Sequence, residues 1–218
     1  MVTTKIDLES SVKDALDWNP QVDTRHVAVS AEGGAVTLSG YVPTFLAKVR
    51  AVNTAEGVFG VKAVADELEV RLQKPFEKDD SAIAESIVRV FETNVDLAKF
   101  NLKAKVAGGH VTLTGIVDWN FEREEAQRAV TRILGVSLIL NDITVKPRGT
   151  ATEVQTQIAN ALTRHAVLEA RQIHVVTSEN KAILSGHVHS LDEARVARTA
   201  AWYAPGITQV EDHILIEP

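Results

Sequence analysis

The sequence predicts an α+β protein made of three tandem two-layer αββαβ modules, each a small mixed three-stranded sheet covered by two helices. Three observations carry this prediction. The 218-residue chain contains three segments of 66 residues, 7–72, 82–147 and 153–218, that align without a gap. Each holds a glycine closing an apolar stretch (Gly40, Gly115, Gly186) and a second glycine twenty residues on (Gly60, Gly135, Gly206). Within each segment the hydrophobic period also changes in the same order, from helical to alternating.

Each module opens on a helical stripe: Leu8, Val12, Ala15 and Leu16; then Ile83, Ile87, Val90 and Phe91; then Val154, Ile158, Ala161 and Leu162. An alternating strand follows, with Val27 and Val29, Leu102 and Ala104, or Ile173 and Val175 on one face. A tight turn comes next, at Glu32-Gly33-Gly34, Ala107-Gly108-Gly109 or Ser178-Glu179-Asn180, where Gly and Asn tolerate positive φ. The second strand runs over 36–42, 111–117 and 182–188. The helix after it is capped by Thr44 in the first copy, and by a capping box of Ser190 with Glu193 in the third. Gly60, Gly135 and Gly206 are expected to stop that helix at its C′ position. The third strand carries Val64, Leu68 and Val70, with Ile139, Ile143 and Val145 or Val210, Ile214 and Ile216 at the matching places. Stretches 73–81, with Pro75, and 148–152, with Gly149, read as linkers. Modules of this size bury a low fraction of their surface, so packing between copies is expected.

Composition bounds the chemistry. With no cysteine, disulfides, thiolate chemistry and Cys-ligated metal sites are excluded. Aromatics are 5% of residues, too few for a broad stacking surface for single-stranded nucleic acid. A formal charge of -6 argues against a general polyanion binder, and no nucleic-acid partner is expected. No stretch approaches the roughly 18–20 apolar residues of a membrane-spanning helix. The N-terminus lacks the pattern of a secretory signal, so the expected location is cytoplasmic, or periplasmic if a leader has been removed.

The residues resemble a known family, the BON domain of bacterial osmotically inducible and nodulation proteins. The resemblance rests on the Leu-x-Gly-x-Val core at Leu38, Gly40 and Val42 and its two copies, and on the distant Gly followed by a β-branched residue. It rests also on the closing motifs Val64-Ala65-Asp66-Glu67-Leu68-Glu69-Val70, Ile139-Leu140-Asn141-Asp142-Ile143-Thr144-Val145 and Val210-Glu211-Asp212-His213-Ile214-Leu215-Ile216. The start, Ala15-Leu16-Asp17-Trp18-Asn19-Pro20, looks like the first module of triple-BON proteins. Together these cover about nine tenths of the chain. The resemblance implies a non-enzymatic, membrane-associated protein that binds phospholipid surfaces in envelope or osmotic stress. The alternative is an array of modules that binds protein partners, or itself, as a scaffold.

Candidate residues follow from charge and position. The first module carries 10 acids and 6 bases, the second 8 and 8, the third 8 and 5. The middle module is therefore the candidate for anionic headgroups. Its basic side chains include Arg123, Arg128 and Arg132 on the second helix, with Lys103 and Lys105 alternating along the first strand. Glu122, Glu124 and Glu125 offset the arginines, so a solvated, ion-paired helix is the competing reading. Trp119 and Phe121 at the helix entry are candidates for lipid insertion or for an intermodule contact, as are Trp18 and Trp202. Gly40, Gly115 and Gly186 are expected to permit close packing or a bulge. Asp66, Asn141 and Asp212 are expected to bond nearby backbone in a turn before the third strand. Five of the seven histidines lie in module three; His187 and His189 flank core-facing Val188 and should both face solvent. No metal site, cofactor or catalytic motif is identified: the chain has no G-x-S-x-G elbow, H-E-x-x-H or Gly-rich phosphate loop.

Overall fold

A computed structural model describes residues 7–72, 78–146, 156, 158, 173–178, 180–204 and 207–216. Module one consists of α1 (Leu8–Trp18), β1 (Val27–Glu32), β2 (Ala35–Val42), α2 (Phe45–Glu56) and β3 (Ala63–Val70). Module two repeats this order as α3 (Asp80–Thr93), β4 (Lys103–Ala107), β5 (His110–Val117), α4 (Asn120–Thr131) and β6 (Leu138–Val145). In module three the described elements are β7 (Ile173–Ser178), β8 (Lys181–Val188), α5 (Leu191–Trp202) and β9 (Gln209–Ile216). Its first helical stripe lies largely outside the described residues; of that stripe Ile158 is described, and it is fully buried.

Every sheet has the same topology. The first two strands form an antiparallel hairpin, and the third pairs in parallel with the second, so the hairpin's second strand is central. A parallel neighbour requires a crossover, and α2, α4 and α5 supply it across one sheet face. Strand alternation then sorts the side chains. Val36, Leu38 and Val42 of β2 are buried beneath the helices with Val12, Leu16, Ala51, Ala55 and Leu68. Thr37, Ser39 and Tyr41 point to the opposite face, which no helix of the module covers.

Local chemistry sets the element ends. Asp7, Thr44, Asp79 and Ser190 each accept a hydrogen bond from the backbone N–H three residues on, satisfying a donor that the helix itself leaves free. Asp79 and Asp80 lie in the stretch read as a linker, and the helix begins there. The Asp80 carboxylate also accepts from the Gly108 and Gly109 N–H groups at 2.7 and 2.9 Å, clipping α3 to the β4–β5 turn.

The two repeated glycines behave differently. Gly40, Gly115 and Gly186 have φ of +108°, +146° and +129°. A Cβ on Gly40 would stand 2.0 Å from the His26 carbonyl oxygen, so close approach of backbone requires glycine there. Gly60 and Gly135 also have positive φ, but they are not the helix stop the spacing suggested. The α2 helix ends at Glu56, and Val58 N–H donating to the Ala55 carbonyl closes its last turn. Gly60 instead reverses the chain into β3. The corresponding Gly206 lies outside the described residues.

Asp66, Asn141 and Asp212 also differ in placement from the expectation. They lie within the third strands rather than in a turn before them. Each oxygen does accept from the N–H two residues on, at 3.1, 3.2 and 2.9 Å respectively. The third strand is a sheet edge, and this bond occupies a donor the ladder leaves open. The same side chains reach the second helix. Asp66 meets Lys48 at 3.1 Å, Asn141 donates to the Arg123 carbonyl at 3.0 Å, and Asp212 meets Arg198 at 3.1 Å.

The modules interlock. Phe45, the first residue of α2, is buried in the core of module two with Ile83, Ile87 and Val130, and Val49 and Val70 pack against that core. Leu191, the corresponding first residue of α5, packs on the core of module one. Trp202, at the end of α5, packs on the cores of both module three and module two. Each module therefore touches both others. Glu56, at the end of α2, is half-buried near Arg195 and Arg198 of module three; burial raises its pKa despite both arginines.

Gly40→Ala costs more than about 2 kcal/mol in urea unfolding, because both positive φ and a backbone clash oppose it. Gly33→Ala, with φ +59° but open space around the new Cβ, costs about 1 kcal/mol. For Glu56, a raised folded-state pKa means the ionised form opposes folding at neutral pH. That penalty vanishes as pH falls below the unfolded carboxyl range. Glu56→Gln therefore raises stability at pH 7 by less than about 1 kcal/mol, given partial solvent screening, and the difference closes toward about pH 3.5.

Candidate functional site

The open face of the module-two sheet is assembled from three strands in register. Lys103 lies beside Thr114 and Asp142, Lys105 beside Thr112 and Leu140, and Ala107 beside His110 and Leu138. Ile116 continues the central strand. Leu138, Leu140 and Ile116 are 48%, 55% and 63% exposed, and together they make an exposed apolar group of the kind that marks an interaction surface. Neither lysine forms an ion pair among the described residues, and Asp142 is the one carboxylate this face carries. The face is thus apolar in its third strand and cationic in its first.

The candidate basic residues do not form one surface. Lys103 and Lys105 project from the open face, whereas α4 with Arg123, Arg128 and Arg132 lies across the covered face. Arg128 is exposed and pairs with Glu125 at 3.1 Å. Arg132 is an exposed C-cap. Arg123 is half-buried, with its guanidinium 4.5 Å from the centre of the Trp202 ring of module three. Burial lowers its pKa, with Glu124 opposing. Arg123 and Trp202 therefore belong to an intermodule contact.

The entry to α4 is occupied by structure. Trp119 is its N-cap and half-buried; Phe121 in the first turn is exposed. Glu122 is fully buried and accepts from the Asp118 and Trp119 N–H groups, both at 2.9 Å. Its other oxygen forms an ion pair with Lys99 Nζ at 2.8 Å, and this contact raises the lysine pKa. Glu122 is thus a cap and not a partner for the α4 arginines.

Two features escaped sequence reasoning. The first is the exposed apolar row at Leu138 and Leu140. Its signal was present, since β6 is apolar at both alternating parities when only Ile139, Ile143 and Val145 are needed inside. The second is a tether at the end of the first helix in modules one and two. Asn19 donates to Thr54 at 2.9 Å and Asn94 donates to Glu125 at 3.0 Å. No group of His, Asp and Glu side chains among the described residues is arranged to hold a metal ion. No described helix is long and apolar enough to cross a membrane.

A family model described as BON domain matches residues 6–71, 79–147 and 150–218. The chain belongs to the BON domain family. The repeated αββαβ unit is therefore a BON domain, present three times in tandem, and the family is not one of enzymes. Among curated proteins, the chain is 27% identical to osmotically-inducible protein Y of Escherichia coli (strain K12) over 144 residues. That alignment covers 64% of this chain and 71% of the relative. Among solved structures it aligns with CdsD, a structural protein of the Type III secretion system of Chlamydia trachomatis. The identity is 18%, over 98% of this chain and 93% of that one, with a TM-score of 0.28. The C-terminal domain of CdsD aligns at 17% identity over 98% and 99% of the two chains, also with a TM-score of 0.28. At that score the likeness carries no argument about arrangement or function.

The contact between the second and third BON domains is testable by a double-mutant cycle. Arg123→Ala and Trp202→Ala each lower the unfolding midpoint in urea. Their coupling energy is about 0.5–2 kcal/mol, the range of a partly desolvated cation–π pair.

Proposed function

We propose that this tandem BON protein associates with anionic phospholipid surfaces through the open sheet face of its second domain, in an osmotic-stress setting. The observation that supports this reading is the joining of Lys103 and Lys105 with exposed Leu138, Leu140 and Ile116 on one uncovered face. Lysine stems carry their charge to the headgroup level while apolar side chains enter the interface. Each lysine near an anionic leaflet adds about 1 kcal/mol of attraction, weakened by salt. Homology to an osmotically inducible protein supports the stress setting. The open face of the first domain is different in kind. It bears Ala28, Ser30, Thr37, Ala63 and Ala65 with Glu32, Glu67 and Glu69, and at one end Tyr41 stacks on His26 beneath Arg71, which is itself paired with Glu69, so this face has no lysine beside an exposed aliphatic row.

Co-sedimentation with vesicles tests the assignment. Lys103→Glu with Lys105→Glu weakens binding to phosphatidylglycerol vesicles at least tenfold, two attractions having become repulsions. Arg128→Ala with Arg132→Ala has little effect, and Arg123→Ala none beyond its effect on stability. If the lysine double variant binds as wild type does, the face is wrongly assigned. If wild type ignores lipid charge and instead self-associates through Leu138 and Leu140, the scaffolding reading takes its place.

A further inference from the structure

The open face of the third domain collects histidines from all three strands. His174 of β7, Ser185 of β8 and His213 of β9 stand side by side in one row. His187, two residues along β8 from Ser185, projects from the same face and lies beside Leu215. All three imidazoles are exposed. Around them Val176 and Leu215 are 54% and 58% exposed, and half-exposed Ile183 lies between Val176 and Glu211. The face thus joins exposed apolar side chains to histidines as its counterpart in the second domain joins them to lysines; His174 stands where that face has Lys103, and His187 and His213 stand where it has Ile116 and Asp142.

Among the described residues, the remaining charges on this face nearly cancel. From β8 there is Lys181, and from β9 Glu211; the two form an ion pair. From β7 there is no charged group besides His174. His213 Nε2 lies 3.7 Å from Glu211, so its protonated form also has a carboxylate neighbour. The other nearby acids point elsewhere: Asp212 pairs with Arg198 on the helix side, and Asp192 pairs with Arg195. Histidine is the side chain whose charge changes between about pH 5 and 8. Protonation therefore turns a nearly neutral, partly apolar face into a cationic one.

We propose that the open sheet face of the third domain is a second lipid contact, engaged on acidification, when His174, His187 and His213 become charged and meet an anionic phospholipid surface beside Val176, Ile183 and Leu215. The proposal rests on the reading of the second domain as a lipid-binding module and adds its regulation by pH. At neutral pH the chain holds the membrane by one face, the lysine face. At acid pH the histidine face adds a second contact, and two contacts on one chain strengthen each other where both reach the same surface.

The test measures co-sedimentation with phosphatidylglycerol and with phosphatidylcholine vesicles, at pH 7.5 and 5.5. Wild type is expected to bind phosphatidylglycerol vesicles at least tenfold more tightly at pH 5.5, with the gain removed by 0.5 M salt as screening shortens to about 4 Å. His174→Gln, His187→Gln and His213→Gln together keep the pH 7.5 binding and lose most of the gain. His110→Gln measures the share due to the one histidine on the lysine face. All three substituted side chains are exposed, and circular dichroism checks that the fold is kept. An equal gain in the triple variant overturns the proposal, as does a gain of the same size on phosphatidylcholine, or no gain at all. The lysine double variant separates the two readings. If it binds like wild type at pH 7.5 while the histidine-dependent gain persists, the lysine assignment fails and the histidine face stands.

Discussion

Each BON domain of this chain has a one-sided core. Two helices and three strands give only one sheet face enough apolar cover, and the rest of the structure depends on that constraint. In the first domain Val36, Leu38 and Val42 go under the helices, and Thr37, Ser39 and Tyr41 go outward because alternation leaves them no choice. The parallel third strand enforces the same division. Its crossover helix must lie on one side of the sheet, and it lies on the side that the first helix already covers. What remains is an uncovered, hydrogen-bonded sheet face whose chemistry is free to differ between copies. It carries small residues, glutamates and a Tyr41–His26–Arg71 stack in the first domain, lysine and leucine in the second, and histidine with aliphatic residues in the third.

A one-sided core of this size also leaves the crossover helices with apolar residues to cover. Phe45 enters the core of the second domain, Leu191 packs on the first, and Trp202 packs on the second as well as on its own. The surfaces that small domains cannot bury alone are buried against each other. These contacts use the helix layer and leave the open platforms outward. The residues that join the domains and those available to a partner are consequently different sets. Arg123 shows the distinction: its charge reads as a lipid contact in sequence, yet its guanidinium lies over Trp202.

The repeated strand residues Asp66, Asn141 and Asp212 join the two layers within each domain. One oxygen takes the edge N–H two residues on, and the side chain reaches the helix above. The partner differs in each copy: Lys48 in the first, Arg198 in the third, and the Arg123 carbonyl with Gln127 in the second. The strand position recurs while its helix partner shifts by about one turn, and in the second domain the Asn141 amide donates to the helix where the aspartates accept from it. An edge donor that recurs in every copy is met the same way each time, but a helix surface offers several side chains within reach.

The gapless alignment on repeated glycines determined the three-fold repetition, and periodicity determined the αββαβ order and the core positions, because burial of one face imposes period 2 on strands and period 3.6 on helices. It also identified Lys103 and Lys105 as sharing a face, since alternation is a property of the strand itself. It misjudged the helix ends, where Gly60 stands beyond a turn that backbone hydrogen bonds close first. It could not show that Arg123 turns inward, that Glu122 is a buried cap, or that His174, His187 and His213 gather on one face. Those facts depend on which strands are neighbours, in what register, and on how one domain's helix meets the next. These are long-range relations, and local spacing carries no record of them. What the chain specifies residue by residue is which face of each element is apolar. What only the tertiary structure decides is which of the remaining side chains stand together in the open.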